Sequence, residues 1–354
     1  MLKRFAITLC FLFLIPFHTY AAGCSASSAV VIDADTGIIL YENNAYEQRS
    51  MASTTKIMTA LLAVESGKLD EVVEITEQML QTEGSSLGLK VGDELTLRDL
   101  ITGMMLTSGN DSANAVACFI SGSIEEFAKL MNSRAGELGM KSTLFVTPSG
   151  LDEGNHHSTA YDMAKLTAAA IKLDEFCEIT AKQKATIKIG EESVTVYNHN
   201  KLLARDKQIF GVKTGYTKKA GRCLVSAKNF NGNQIICVTL NAPDDWNDHL
   251  NLYKACESKY TEYDVCGNIA IPVVGANSQE MNCLYEKKYY VLAGIKLEIY
   301  HKPFLYAPLK KGEKVGEVWV YCNDKLLERL PITAEEDVEY YAEQERSTTS
   351  EIHG

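Results

Sequence analysis

The chain contains the stretch Met51-Ala52-Ser53-Thr54-Thr55-Lys56-Ile57-Met58-Thr59-Ala60-Leu61-Leu62, which predicts the start of a buried helix. Its apolar side chains recur at helical spacing as far as Gly67, where we expect the helix to end. Ser53 stands at the predicted N-terminus. Lys56, three residues later, lies one turn further on the same face.

Ser53 and Lys56 have the residue types of a nucleophile and its base. A serine hydroxyl needs a neighbour that takes its proton, and a lysine can do so when burial or another cation lowers its pKa. Backbone N–H groups at the start of a helix also suit the oxyanion of acyl transfer. An N-cap serine followed by a surface lysine gives the same Ser-x-x-Lys pattern, so the motif needs support from the rest of the chain.

The composition is that of a soluble globular protein with a sizeable core. The chain has 354 residues, a length typical of two domains, with 46% hydrophobic and 23% charged residues. A formal net charge of −11 and the lack of any basic run argue against a nucleic-acid partner.

Residues 1–22 are typical of a secretory signal peptide, which predicts an exported protein. Lys3 and Arg4 precede the apolar run 5–17, and small residues follow at 19–23. A retained N-terminal anchor is the alternative, although the run is short for a membrane span. Cleavage before Cys24 would make that residue a lipidation site, which the sequence leaves open.

The cysteines predict neither a disulfide framework nor a metal site. Of ten cysteines, Cys10 lies in the signal segment, and the remaining nine are scattered and odd in number. Cys-x-x-Cys and His/Cys ligand spacings are missing from the sequence. His156 and His157 are adjacent, so we interpret them as structural or loop residues. We predict no metal and no cofactor.

The element pattern predicts a catalytic domain over residues 25–262. A hairpin at 29–41 leads into the Ser53 helix, and cap signals open helices at Thr96, Ser123 and Thr159. Three strand-like runs between 210 and 240, joined partly by Asn231-Gly232, predict an antiparallel meander. A helix over 246–260 closes the domain.

The sequence after residue 262 has a different pattern of predicted elements. Short β-rich runs without a long helix predict a smaller, all-β C-terminal domain over 263–333, of the sandwich type. Residues 334–354 hold seven acidic side chains, and we expect them to form a solvated or disordered acidic tail.

Two further motifs carry groups suited to catalysis. Ser108-Gly109-Asn110 lies between two apolar helical stretches, where an ordinary inter-helix turn would also fit. Lys213-Thr214-Gly215 lies in a predicted strand. Together with Ser53-x-x-Lys56 they form, in order, the trio of motifs of penicillin-binding proteins and class A β-lactamases.

The residues around these motifs give a closer resemblance. The stretches 51–62, 105–115 and 211–217 resemble the D-alanyl-D-alanine carboxypeptidases among the low-molecular-mass penicillin-binding proteins, as do 145–151 and 157–164. The resemblance covers about residues 25–260. It implies an α/β (α+β) fold of the β-lactamase/transpeptidase type for the catalytic domain.

The resemblance also implies a role for each motif residue. The catalytic residues would be Ser53 as nucleophile, Lys56 as base and Ser108 as proton relay to the leaving amine. Backbone N–H groups of Ser53 and Tyr216 would form the oxyanion hole. The substrate would be bound by Asn110, Lys213, Thr214, Gly215 and Tyr216, with Gly215 letting the strand approach the peptide closely.

The implied activity is removal of the terminal D-alanine from peptidoglycan stem peptides that end in D-Ala-D-Ala, with β-lactams as inhibitors. A β-lactamase is an alternative, but it would need a Glu-x-x-x-Asn segment that is not found between Asn110 and Lys213. A non-catalytic wall-binding protein is another, but it would be expected to carry a damaged motif. Many family members end in a membrane-binding amphipathic helix, and the acidic tail leaves membrane association undecided here.

Overall fold

The computed structural model describes residues 23–341, and the predicted signal peptide lies outside them. The N-terminal part contains a five-stranded antiparallel sheet of order β2-β1-β9-β8-β7. Its strands are β1 (Ser28–Asp33), β2 (Ile39–Asn43), β7 (Ile209–Thr217), β8 (Gly221–Phe230) and β9 (Asn233–Leu240). Strand β7 is therefore at one edge of this sheet.

Helices surround the sheet. They are α1 (Lys56–Glu65), α2 (Leu97–Thr107), α3 (Asn110–Ser121), α4 (Ile124–Glu137), α5 (Ala160–Ala170), α6 (Asp174–Thr180), α7 (Leu202–Arg205) and α8 (Asp245–Glu257). Two small hairpins complete this part, formed by β3 (Val72–Glu74) with β4 (Glu94–Thr96), and by β5 (Lys184–Ile189) with β6 (Glu192–Tyr197).

Strand β1 is buried on both faces because alternate side chains enter two different cores. Val30 and Ile32 pack in the large cluster that includes α1 and α5, whereas Val31 packs with Leu252 and Tyr253 of α8. Helices cover both faces of the sheet, which confirms the predicted α/β class. Helix α1 packs on the face that carries Val30 and Ile32.

The predicted capped helices are present. Thr96, Ser123 and Thr159 each accept a hydrogen bond from the backbone N–H three residues later, at the starts of α2, α4 and α5. The meander of β7, β8 and β9 also forms as predicted. Helix α6 was missed. Between α1 and α2 the strands are β3 and β4, and residues 87–92 form a loop.

The C-terminal part is all-β, as predicted, but its strands join in one sheet. They are β10 (Thr261–Val274), β11 (Glu280–Val291), β12 (Ile295–His301), β13 (Leu305–Tyr306), β14 (Lys314–Cys322) and β15 (Lys325–Ala334), in the order β12-β14-β15-β11-β10-β13. Hydrogen bonds connect all six strands, but β11 and β15 pair at only two positions, and side chains from both halves share one core. The sandwich arrangement therefore stays a prediction.

The expectation of a solvated tail from residue 334 was wrong for its first residues. Val338 is buried in the core of the C-terminal domain and pairs with Leu309, and Tyr341 N–H donates to Gly275 O. The apolar Val338 is the reason that this acidic stretch packs. Among the described helices, none has the length and apolar character needed to cross a membrane.

Candidate active site

Ser53 lies on a short 3-10 turn, Ala52–Thr55, that leads directly into α1. Ala52 has a left-handed backbone with φ 48°, a conformation that costs a non-glycine residue roughly 1–3 kcal/mol. The bend turns the Ser53 backbone toward β7, where an ideal Cβ on Gly215 would lie 3.0 Å from Ser53 N. A side chain at position 215 would force the neighbouring backbone to move, so only glycine fits there. The turn that carries Ser53 therefore packs directly against β7.

This finding changes the reason for Gly215. The sequence predicted that the glycine lets β7 approach a bound peptide, whereas the groups that a Cβ would meet are Ser53 N, the Ala52 Cβ and Met51 O. Gly215 therefore serves the packing of the turn that carries Ser53.

A buried histidine supports the same turn. His156 Nδ1 accepts the Val146 N–H at 2.9 Å, so its proton is on Nε2, which donates to Thr55 Oγ1 at 2.8 Å. Thr55 Oγ1 in turn donates to Ala52 O at 2.9 Å. Burial lowers the pKa of His156 to about 4, so the ring is neutral at pH 7. This geometry agrees with the structural interpretation of His156.

Lys56 is completely buried and contacts three oxygen atoms. Its Nζ lies 2.9 Å from Ser53 Oγ, 2.7 Å from Asn110 Oδ1 and 2.7 Å from Ser149 O. The last two are carbonyl oxygens that can only accept, so they use the two N–H groups of a neutral amine. The lone pair is then left for the Ser53 hydroxyl proton, which is the arrangement of a general base.

The charges around Lys56 favour its neutral form. Burial and the nearby Lys213 ammonium lower the pKa of Lys56 well below that of an ordinary lysine, while Asp111 acts in the opposite direction. Lys213 is itself 1% exposed, and burial lowers its pKa to about 7. Lys213 is therefore the second cation that helps to lower the pKa of Lys56.

The Ser-Gly-Asn loop joins the site from the other side. Asn110 opens α3, with its Oδ1 on Lys56 and its Nδ2 donating to Glu83 O at 2.6 Å. Ser108 is buried and left-handed, with φ 66°. Its hydroxyl makes no hydrogen bond to Ser53, Lys56 or Lys213 within residues 23–341. The structure therefore places Asn110 in hydrogen-bond contact with Lys56, whereas the Ser108 hydroxyl has no such contact with the three residues named.

Strand β7 supplies the last predicted residues. Lys213 Nζ donates to Thr214 O at 3.1 Å, and no hydrogen bond joins it to Ser108 among the described residues. Thr214 is half-buried. The Tyr216 side chain is 68% exposed, and the residue follows Gly215 in β7.

Sequence reasoning missed Asp111 and Ser149. Asp111 accepts hydrogen bonds from Ser86 Oγ at 2.6 Å, from the backbone N–H of Leu87 at 2.9 Å, and from the N–H groups of Gly88 and Leu89. It thereby fixes the loop that also holds Asn110. Asp111 could have been identified from its position next to Asn110 in the motif. The role of Ser149 could not, because its contact is made by a main-chain carbonyl, which every residue has.

The fold and this arrangement define a serine acyl-transfer enzyme with a lysine base. Residues 16–244 match the family model of D-alanyl-D-alanine carboxypeptidase, and residues 293–340 match that of the penicillin-binding protein 5 C-terminal domain. The chain belongs to the D-alanyl-D-alanine carboxypeptidase family, and the predictions of family and of a serine-type hydrolase are confirmed.

Relatives span most of the chain. D-alanyl-D-alanine carboxypeptidase DacF of Bacillus subtilis is 32% identical, over 88% of this chain and 86% of the relative. DacD of Escherichia coli is 30% identical, over 92% and 89%.

Solved structures agree with the fold. The Streptomyces K15 DD-transpeptidase superposes with a TM-score of 0.63 at 29% identity, over 67% of this chain and 98% of the other. DacD from Francisella tularensis gives 0.62 at 26% identity, over 90% and 95%.

Proposed function

We propose that this protein removes the terminal D-alanine from peptidoglycan stem peptides through an acyl-enzyme on Ser53. The observation that carries the proposal is the buried Lys56 amine, which lies 2.9 Å from Ser53 Oγ while two carbonyl oxygens occupy its N–H groups. Family membership supplies the substrate class.

In the first half-reaction Ser53 Oγ attacks the carbonyl carbon of the penultimate D-alanine, and Lys56 takes the hydroxyl proton. The oxyanion receives hydrogen bonds from the backbone N–H groups of Ser53 and Tyr216. The C–N bond then breaks as Ser108 passes its proton to the departing amine, and Lys56 gives the proton it took from Ser53 to Ser108, which leaves Lys56 neutral again. Terminal D-alanine leaves, and the rest of the peptide stays as an ester on Ser53.

In the second half-reaction water attacks that ester and the Ser53 hydroxyl is restored. Lys56, now neutral, takes a proton from the attacking water and passes it to Ser53 Oγ as the ester bond breaks. Asn110 holds both Lys56 and the substrate amide. Protonated Lys213, with the Thr214 hydroxyl, binds the terminal carboxylate. The same steps explain inhibition by β-lactams, whose ring carbonyl acylates Ser53 and leaves slowly.

The substrate is extracytoplasmic, so this function goes with export through the signal segment at residues 1–22. We include export in the proposal on the sequence pattern alone. Membrane attachment, by lipidation at Cys24 or otherwise, is outside the proposal.

The test is release of D-alanine from a pentapeptide ending in D-Ala-D-Ala, combined with labelling by penicillin. We expect stoichiometric D-alanine and a long-lived penicilloyl adduct. Rapid turnover of penicillin would instead favour the β-lactamase alternative. Absence of both D-alanine release and adduct would favour a non-catalytic wall-binding protein.

A further inference from the structure

The free edge of β7 sets the direction in which a peptide enters the site. An extended peptide can add to this edge as another strand, with main-chain hydrogen bonds to β7. In the function proposed above, on which this inference rests, the terminal carboxylate lies at Lys213 and Thr214 and the reacting carbonyl at Tyr216. The peptide then runs antiparallel to β7.

Residues on the amino side of the reacting bond consequently extend beyond Tyr216. Each extended residue advances about 3.3 Å. Two or three residues before the bond, the peptide reaches the turn between β7 and β8, which is Lys218-Lys219-Ala220. The side chains of this turn are therefore the ones that can distinguish one stem peptide from another.

Two adjacent lysines occupy that turn. Lys218 and Lys219 are exposed, and neither has an ionic partner among the described residues. Exposed lysines of the C-terminal domain, such as Lys287, Lys288 and Lys310, each contact a carboxylate. In a chain of net charge −11, this turn presents two adjacent exposed lysines without an ionic partner in the described residues.

A second observation places this turn close to the segment that leads to the nucleophile. Cys223 Sγ lies 3.9 Å from Ala220 O, in the turn, and 3.9 Å from Ser50 O. Burial lowers the pKa of His156 most, and the charge of Lys219 also lowers it. The turn thus lies beside the elements that hold the nucleophile, on the amino side of the reacting bond.

We propose that Lys218 and Lys219 form a carboxylate subsite, which selects peptides that carry acidic groups two and three residues before the carboxyl-terminal D-alanine. The two ammonium groups would attract the peptide as it approaches and pair with its carboxylates once it is bound on β7. Because the lysines are exposed, their effect depends on ionic strength.

The experiment compares two substrates, acetyl-Glu-Glu-D-Ala-D-Ala and its Gln-Gln counterpart, by kcat/KM for D-alanine release at low salt. The variants are the double substitution Lys218→Gln with Lys219→Gln, and the control Lys207→Gln. Lys207 is an exposed lysine without an ionic partner in the described residues, and it precedes the other end of β7, roughly 25–30 Å away.

We expect the parent and the Lys207→Gln control to prefer the acidic peptide roughly three- to tenfold. The double variant should lose that preference and keep the parent rate on the Gln-Gln peptide, and 0.5 M salt should abolish the preference in all proteins. A parent without preference, or a double variant that retains it, overturns the subsite while D-alanine release upholds the proposed function. Failure to release D-alanine from either peptide, without a penicillin adduct, overturns both.

Discussion

In two regions of the catalytic domain, a serine hydroxyl lies within hydrogen-bond distance of a nitrogen base. In one, Ser53 Oγ lies 2.9 Å from Lys56 Nζ. In the other, Ser226 Oγ lies 2.7 Å from His249 Nδ1 and 2.6 Å from Tyr253 OH. Burial lowers the pKa of both bases, to about 3 in the case of His249. By distance and protonation state alone, both are candidate nucleophiles.

The surroundings separate the two. Ser226, His249 and Tyr253 are at most 1% exposed, and Thr239 Oγ1 contacts the remaining ring nitrogen of His249 at 3.0 Å. No reacting carbonyl can enter that cluster. Ser53 is partly exposed, beside the free edge of β7, and a second cation lies near its base. A hydroxyl–base pair therefore marks a catalytic site only where a substrate can reach it.

The largest effect is expected from Lys56→Arg. A guanidinium stays protonated where the Lys56 amine is neutral, so Ser53 loses its base. Acylation by penicillin should fall about 10³-fold or more. Thermal unfolding serves as the control for folding. A folded Lys56→Arg protein that acylates at the parent rate would rule out Lys56 as the base.

Lys213→Met should reduce kcat/KM for D-alanine release about 10²-fold, because the carboxylate loses a charge-assisted partner and Lys56 loses a neighbouring cation. The same change should stabilise the protein at pH 7, by on the order of 2 kcal/mol, because it removes a buried ionisable group.

The pH dependence of that gain has a definite sign. With a folded-state pKa of about 7, Lys213 binds fewer protons in the folded than in the unfolded state between about pH 7 and 10.4. The contribution of Lys213 to the free energy of unfolding of the parent protein therefore rises with pH between about 7 and 10.4. The advantage of Lys213→Met in urea unfolding should shrink toward pH 10, and a constant advantage would contradict the lowered pKa.

Ser226→Ala should behave in the opposite way. The change leaves His249 Nδ1 and Tyr253 OH each with one partner fewer in a buried site, which costs about 1–3 kcal/mol of stability. Penicillin acylation of the folded protein should be unchanged. A loss of acylation without loss of stability would assign the second cluster a role in catalysis.

The smallest effect is expected from Tyr216→Ala. The side chain is 68% exposed, and the proposed contribution of this residue is its backbone N–H, which alanine retains. Acylation should change less than about threefold. Gly215→Ala is the matched comparison, because its Cβ would lie 3.0 Å from Ser53 N and should slow acylation far more. Equal effects of the two changes would argue against the backbone role.

The sequence predicted those parts of the fold and site that depend on local signals. Cap patterns at Thr96 and Thr159 identified the starts of α2 and α5, and the Asn231-Gly232 turn identified the hairpin of β8 and β9. The single C-terminal sheet depends on long-range pairing, such as that of β11 with β15, which local periodicity cannot reveal. Burial of Val338 within an acidic stretch escaped prediction for the same reason.

The sequence named candidate site residues, but not the contacts that the structure shows between them. Lys56 one turn from Ser53 follows from helical spacing. The second N–H partner of Lys56 is the Ser149 carbonyl, 93 residues away and without a side-chain signature. The packing reason for Gly215 likewise appears only when β7 meets the turn before α1.

The central claim is that Ser53, and not the closed Ser226 cluster, carries the acyl group. The direct measurement is peptide mapping by mass spectrometry after incubation with penicillin, for the parent, Ser53→Ala and Ser226→Ala. We predict one penicilloyl group on the peptide that contains Ser53 in the parent and in folded Ser226→Ala, and none in Ser53→Ala. An adduct on any other residue of the parent, or an undiminished adduct in Ser53→Ala, would contradict the account.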